Sequence, residues 1–434
     1  MTSEEWPEIR LGDVCEKIGS GATPRGGKEV YCDVGIALIR SQNVYNDGFR
    51  DEGLAFIDDV HAQELRHVSV EPGDVLLNIT GDSTARACLA PPEVASARVN
   101  QHVAIVRPSM DVLDARFLRY TLVSPAMQAH LLALASAGAT RPALTKRMIA
   151  DLRIPAPSLA EQRHIADTLS ALDDKIELHR RMNRTLESIA RAIFKSWFVD
   201  FDPVRKKMEG KTGGELGLPP SLAALLPDSF EGSLIGPIPN GWRLKPLDQV
   251  ASFLNGLALQ KFPPTGSGDL PVIKGAELTR GVTEGSGRAG GDVPGAYVVH
   301  DGDVLFSWSG SLNCVLWSGG TGALNQHLFK VTSEDYPQWF CFQWIHQHLP
   351  TFREIAADKA TTMGHIKRGH LSEALVVVPP PEVVAAADGL LARATARQLS
   401  ASVEAARLAE LRDALLSSLL DGTGPKGVVE IAGA

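Results

Sequence analysis

The sequence predicts an α+β fold in which two similar globular units are separated by a long antiparallel two-helix coiled coil. Three observations predict it. Ordered stretches of the 434-residue chain recur about half a chain length apart, each copy ends in a long helical pattern with an apolar seam, and within each copy strand patterns precede helical ones.

The repeat begins at Trp6, where WPEIRLGDV returns as WRLKPLDQV from Trp242. Leu38-Ile39-Arg40 returns as Val272-Ile273-Lys274, GDVL at Gly73 returns at Gly302, and Asn100-Gln101-His102 returns as Asn325-Gln326-His327. Leu186, Ile189 and Ile193 return as Leu408, Leu411 and Leu415. The separation falls steadily from 236 residues at the tryptophans to 222 at the helices, the drift that small deletions in one copy produce. Within the globular parts, Val70–Thr80 and His300–Trp308 read as strands introduced by Gly-Asp turns, and Val103–Val106 and Leu328–Val331 as buried strands. Helical patterns follow at Ala115–Ala135 and Pro337–Ala357.

The first long helix is predicted from Leu159 to Trp197, after Pro155 and Pro157. Ser158 stands as N-cap with Glu161 three residues on, the spacing of a capping box. Ile165, Leu169, Leu172, Ile176, His179, Asn183, Leu186, Ala190, Ile193 and Trp197 alternate steps of four and three, an a/d seam. Periodicity alone leaves coiled coil and core-packed amphipathic helix open. A second helix, Val383–Leu420, has its seam at Leu408, Leu411, Leu415 and Leu419 and a C-cap at Asp421-Gly422. The two seams are each other's nearest available partners. Antiparallel helices of about 38 residues form a rod of roughly 57 Å with a globular unit at each end. These readings divide the chain into globular 1–154, helix 155–200, an irregular Pro/Gly-rich connector 201–240, globular 241–380, helix 381–421 and a tail, 422–434.

A net charge of −8 excludes coating of nucleic acid by bulk electrostatics. It leaves room for local basic patches: Arg141, Lys146, Arg147 and Arg153 near the end of the first globular unit, and Lys359, Lys367 and Arg368 at the equivalent place in the second. Five dispersed cysteines without a CxxC indicate neither a disulfide framework nor a zinc site. An acidic N-terminus and the lack of a membrane-length apolar run lead us to expect a cytoplasmic protein with no membrane partner.

Candidate chemistry is sparse. Gly21 to Glu29 imitates a phosphate loop but has one residue too many, and Glu29 occupies the place of the magnesium-binding hydroxyl. Asp200, Asp202, Lys206 and Lys207 could be imagined as a nuclease cluster, but at a helix end beside Pro203 they read far more readily as a solvated charged turn. Asn-Gln-His, present twice before a strand, either satisfies loop backbone or meets base edges, since Asn and Gln amides match adenine's donor and acceptor. Neither copy brings the second His or Cys that a metal site needs. Thr80-Gly81-Asp82-Ser83 and Ser309-Gly310-Ser311 are turns or DNA-facing loop tips.

In IPAPSLAEQRHIADTLSALDDKIE, SWFVDFDPVRKKMEG and LPDSFEGSLIGPIPNGWRLKPL, together with the repeated GDVL and NQH elements, the chain resembles the specificity subunits of type I restriction–modification systems over nearly its full length. The resemblance implies a non-catalytic subunit with two target-recognition domains, 6–154 and 242–378, each reading half of a bipartite double-stranded DNA site. It implies spacer helices that dock two modification (methyltransferase) subunits, joined by restriction/translocase subunits. S-adenosylmethionine, ATP and magnesium are then expected on those partners and no cofactor on this chain, which has no aromatic-Gly-x-Gly or [DN]PP[FY] stretch. The expected DNA contacts are Arg40, Asn43, Thr80, Asn100, Gln101, His102, Arg141 and Lys146 in the first half, and Lys274, Ser309, Asn325, Gln326, His327, Thr361 and Lys367 in the second. Spacer and docking positions are Leu169, Leu172, Ile176, Asn183, Leu186, Ile193, Leu408, Leu411 and Leu415. The second spacer departs from the family pattern, with Val383-Val384 where the first has Glu161-Gln162 and an Ala-rich middle. A magnesium-dependent hydrolase and a coiled-coil adaptor that binds only proteins are the alternatives.

Overall fold

A computed structural model describes residues 6–137, 142–358 and 364–420. Arg141, Thr361, Lys359, the Asp421-Gly422 cap and the tail lie outside the described residues. The chain forms two compact units, one built from residues up to Lys175 together with those from Leu408 onward, the other from Ile176–Arg407.

The first unit centres on an antiparallel sheet of Cys15–Ser20, Val103–Pro108, Val75–Asn78 and Ala87–Leu89, in that order. Every residue of Val75–Asn78 is buried, because the sheet is covered on both faces. Val75 and Leu77 enter a core shared with Phe117 and Leu118 of helix Ala115–Val123, whereas Leu76 and Ile105 enter a second core with Leu38 and Ile57. A further sheet, Arg98–Val99, Ile36–Ile39, Ala55–Ile57 and Tyr31–Cys32, contains a parallel pairing of its first two strands. Glu8–Arg10 closes the unit against Arg153–Pro155.

The second unit repeats this plan. Ser252–Asn255, Leu328–Thr332, Val304–Ser307 and Cys314–Leu316 form the central sheet in the same order, and Leu270–Ile273 pairs in parallel with Gly322–Leu324. Arg243–Pro246 closes against Leu375–Val378. The internal repeat read in the sequence is therefore a repeat of topology.

The central helix spans Leu159–Phe194, and the amide of Glu161 donates to Ser158 Oγ at 3.3 Å, as the capping spacing requires. It ends three residues earlier than expected, in a π-helical turn, Lys195–Val199, followed by Phe201 in left-handed backbone at φ 58°. Trp197 and Phe198 in that turn remain buried. The C-terminal helix spans Pro381–Leu420. In the first unit Ile165 and Leu169 share a core with Leu416 and Leu420. In the second unit Asn183 Nδ2 donates to Ser402 Oγ at 2.7 Å, and His179 lies 3.5 Å from Glu404, an antiparallel register.

The seam expected on the C-terminal helix is displaced. Leu411 is 48% exposed and Leu408 and Leu415 are only half-buried; the buried stripe runs through Leu391, Thr395, Ala401, Leu416 and Leu420. Leucine spacing misled because small side chains occupy the middle of the contact face, where no large apolar residue marks the stripe. Three other expectations change. The helix at Ala115–Ala135 is two helices, since Pro125 has no amide to continue Ala115–Val123 and Ser124 caps the next, Pro125–Ser136. The strand expected at Val70–Thr80 is confined to Val75–Asn78, after a turn in which Asp74 accepts from the amide of Glu71 at 2.7 Å. The connector is more ordered than its composition suggests: it contains helices Asp202–Met208 and Pro220–Leu225 and a hairpin, Phe230–Ser233 with Gly236–Pro239.

Candidate nucleic-acid interface

Both Asn-Gln-His copies sit where a strand of the outer sheet hands over to the central sheet, and both are wired alike. In the first unit the amide of Asn100 donates to the carbonyl of Ile39 at 3.0 Å, continuing the parallel ladder, and Asn100 Oδ1 accepts from the amide of His102 at 3.1 Å. In the second, Asn325 donates to Ile273 at 3.1 Å and accepts from His327 at 3.2 Å. Asn100 and Asn325 are buried, so each amide holds the loop in shape. A glycine is required opposite each: a Cβ on Gly21 would lie well inside 3.0 Å of the carbonyl oxygens of Val99 and Asn100, and one on Gly256 would meet those of Leu324 and Asn325.

The histidines complete the likeness. His102 Nδ1 lies 2.6 Å from Thr80 Oγ1 and its Nε2 3.0 Å from Gln101 Nε2. His327 repeats both contacts, with Ser309 Oγ at 3.1 Å and Gln326 Nε2 at 3.3 Å. An amide nitrogen can only donate, so Nε2 is the acceptor and the ring proton resides on Nδ1, directed to the hydroxyl oxygen. Gln101 is held at its other end by Thr23, whose hydroxyl donates to Oε1. The second unit adds an aromatic wall, with the ring of Trp308 5.6 Å from that of His327 and its Nε1 donating to Asn255 at 2.9 Å.

Basic candidates converge on the same places. Arg40 and Lys274 directly follow Ile39 and Ile273, whose carbonyls the Asn amides use. Thr80 is bridged to Ala143, three residues before Lys146, and Ser309 to His365, two before Lys367. Both lysines are exposed. The counterpart of Lys146 as first residue of its short helix is Arg368, whose guanidinium donates to the carbonyl of Phe253 at 3.1 Å and lies over Phe329. Asn43 does not join the group: it is fully buried, accepting from the amide of Arg40 at 3.0 Å and donating to the carbonyl of Arg50 at 2.8 Å.

Sequence reasoning missed Thr23, Gly21, Gly256, Trp308 and Asn78, which is fully buried and donates to the carbonyl of Ser41 at 2.8 Å. The repeat held the signal for some of them, since Gly21 aligns with Gly256, and Asn78 with Ser307 as the polar end of an otherwise apolar strand.

The alternative hydrolase cluster is otherwise engaged. Asp200 pairs with Lys195 and Asp202 accepts from Ser196 Oγ at 2.8 Å, bracing the turn that ends the central helix. Among the described residues no three metal-ligating side chains gather. Burial pushes the Cys88 thiol up to about 12 and the Cys341 thiol up to about 11, leaving neither as a nucleophile. No helix among the described residues is long and apolar enough to cross a membrane.

Residues 3–188 match the family model for the type I restriction modification DNA specificity domain. The HindI specificity subunit of Haemophilus influenzae is 25% identical over 96% of this chain and 99% of its own length. Over residues 3–188 the chain carries the match to the specificity domain, and over nearly its full length it is similar to a type I specificity subunit. The MjaIX specificity subunit of Methanocaldococcus jannaschii is 23% identical over 96% of this chain and 93% of its own. The crystal structure of the M. genitalium S subunit shares the fold, with a TM-score of 0.57 at 15% identity and 97% coverage of each chain. Both sequence relatives are named as specificity subunits of type I restriction enzymes.

Proposed function

We propose that each β-rich unit reads one half of a bipartite double-stranded DNA target and that the long helices set the spacing between halves while docking two modification subunits. Restriction subunits join that assembly, and it acts in the cytoplasm. The observation that supports this reading is the duplicated junction: the same Asn, Gln, His and hydroxyl, in the same hydrogen bonds, with a basic residue two or three positions beyond the backbone bridge to the hydroxyl-bearing residue in each unit. Arg40 and Lys146 in the first unit and Lys274 and Lys367 in the second are the phosphate-facing cations of this proposal.

Four such contacts give a logarithmic salt slope near about −3.6, so affinity of the assembled complex for its site should fall on the order of 100-fold between about 50 and 200 mM salt. A fluorescence-anisotropy titration measures this, and equal binding at both salts removes these four residues from the interface.

Asn183→Leu probes the spacer. The bond to Ser402 disappears and an apolar side chain enters the contact, so both units should stay folded while the helix register loosens. Discrimination against targets with one added or removed spacer base pair is expected to fall about tenfold, at most a 1.4 kcal/mol preference per register. Methylation of a spacer-length plasmid series reads it out, and an unchanged series makes Asn183 a tolerated polar residue.

A further inference from the structure

Two domains that specify different half-sites must differ where they touch bases. They can be the same where they touch what every half-site shares, the phosphate backbone. The hydroxyl, imidazole and glutamine group is the same in both units, down to its hydrogen bonds: Thr80, His102 and Gln101 in one, Ser309, His327 and Gln326 in the other. Around it the side chains differ. Thr23, which holds Gln101, gives way to Ala258 beyond Gly256; Ile79 gives way to Trp308, Ala143 to His365 and Arg40 to Lys274.

The direction of the hydrogen bonds says what the group presents. Gln101 donates to Nε2 and Nδ1 donates to Thr80 Oγ1, so one of the hydroxyl's two acceptor lone pairs is taken up within the protein and its proton is turned away from the ring. That proton is the group's outward donor. Ser309 is placed alike by His327. Both hydroxyls are half-exposed and stand at the end of a fully buried strand, Val75–Asn78 or Val304–Ser307, which fixes their position. A lone, fixed O–H donor, with an exposed lysine two or three residues beyond its bridge partner, suits an anionic oxygen. It cannot alone distinguish one base pair from another, because every major-groove edge offers an acceptor.

Building on the proposed DNA-reading role of these units, we infer that Thr80 and Ser309 are a duplicated pair of phosphate-contacting hydroxyls. His102 with Gln101, and His327 with Gln326, are the positioning residues that aim them. The pair sets affinity and docking register in both half-sites without contributing to their sequence, which falls to the neighbouring residues that differ.

The test uses the full chain assembled with its partner subunits, with Thr80→Val, Thr80→Ser, Ser309→Ala and Gln101→Ala variants. Binding is measured on the cognate duplex, on a duplex scrambled in one half-site, and on cognate duplexes carrying single neutral methylphosphonates through each half-site. Thr80→Val should weaken binding to the cognate and scrambled duplexes by the same factor, about five- to tenfold. Thr80→Ser should restore it, Ser309→Ala should act in the other half-site, and Gln101→Ala should give part of the Thr80→Val loss. One methylphosphonate position should weaken the wild type but not Thr80→Val. A changed recognition sequence in Thr80→Val or Gln101→Ala overturns the inference in favour of base reading. Unchanged affinity in soluble, folded Thr80→Val reduces the group to loop scaffolding. A wild-type complex with no preference for any bipartite site overturns the underlying functional reading instead.

Discussion

Asp173→Ala is expected to destabilise the first unit by about 3 kcal/mol, at the lower end of what removing one member of a buried charge cluster costs. Asp173 lies on the central helix and receives three donors: Arg119 Nη1 at 2.8 Å and the Tyr120 hydroxyl at 2.7 Å, both from helix Ala115–Val123, and Arg412 Nη1 at 2.8 Å from the C-terminal helix. One carboxylate thus joins helix Ala115–Val123 of the first unit to both long helices. The side chains of Arg119, Arg412 and Asp173 are 7%, 16% and 21% exposed. The alanine variant leaves Arg119 with the carbonyl of Asn46 and no carboxylate, while Arg412 keeps Asp413, which is why the lower end of the range is expected.

The same cluster predicts a pH dependence. Burial opposes the charge on Asp173, but Arg119 and the donors from Arg412 and Tyr120 override it and hold the carboxyl below its ordinary range. A carboxyl depressed in the folded state adds stability that is complete above the unfolded value, about 3.9, and is lost as the pH falls through the folded one. Urea unfolding should therefore show a large difference between wild type and Asp173→Ala at pH 7 that narrows below about pH 4. A difference independent of pH would mean that lost packing, not charge, accounts for the effect.

Phe198→Ala is expected to cost about 4 kcal/mol and to act on the second unit. The ring is 1% exposed and lies 5.2 Å from that of Phe194, 5.9 Å from Trp339, 6.0 Å from Trp242 and 6.1 Å from Phe340. Where the first unit adds an ionic joint to the aliphatic contact with its helix, the second joins by aromatic rings. Tryptophan fluorescence separates the two variants, because six of the seven tryptophans lie in the second unit and only Trp6 in the first. Phe198→Ala should move the fluorescence transition strongly and Asp173→Ala weakly. Equal shifts would show that the units unfold as one.

What could be read in advance followed from how strongly each feature marks the sequence. The repeat was legible because ladders and turns need particular residues at particular places: Gly-Asp before Val75 and Val304, tryptophan before the closing strands, Asn-Gln-His at the sheet junction. The central helix was legible because its cap and large apolar seam residues are all present. The C-terminal contact face was not, since Thr395, Ala401 and Ser402 carry no apolar signal, and the leucines beside them do. Asn43 looked like a contact because an amide near an arginine reads the same whether it faces DNA or a backbone carbonyl; only burial separates the two. The joint at Asp173 was invisible for a related reason. Its partners Arg119 and Arg412 are distant in sequence and come together only through tertiary packing.

The central claim, that this chain gives a modification complex its DNA sequence, is tested most directly by sequencing methylated adenine genome-wide in cells with and without it. One bipartite motif is expected to lose methylation at all its sites when the chain is absent and to regain it on complementation. An unchanged methylation pattern in its absence would contradict the account.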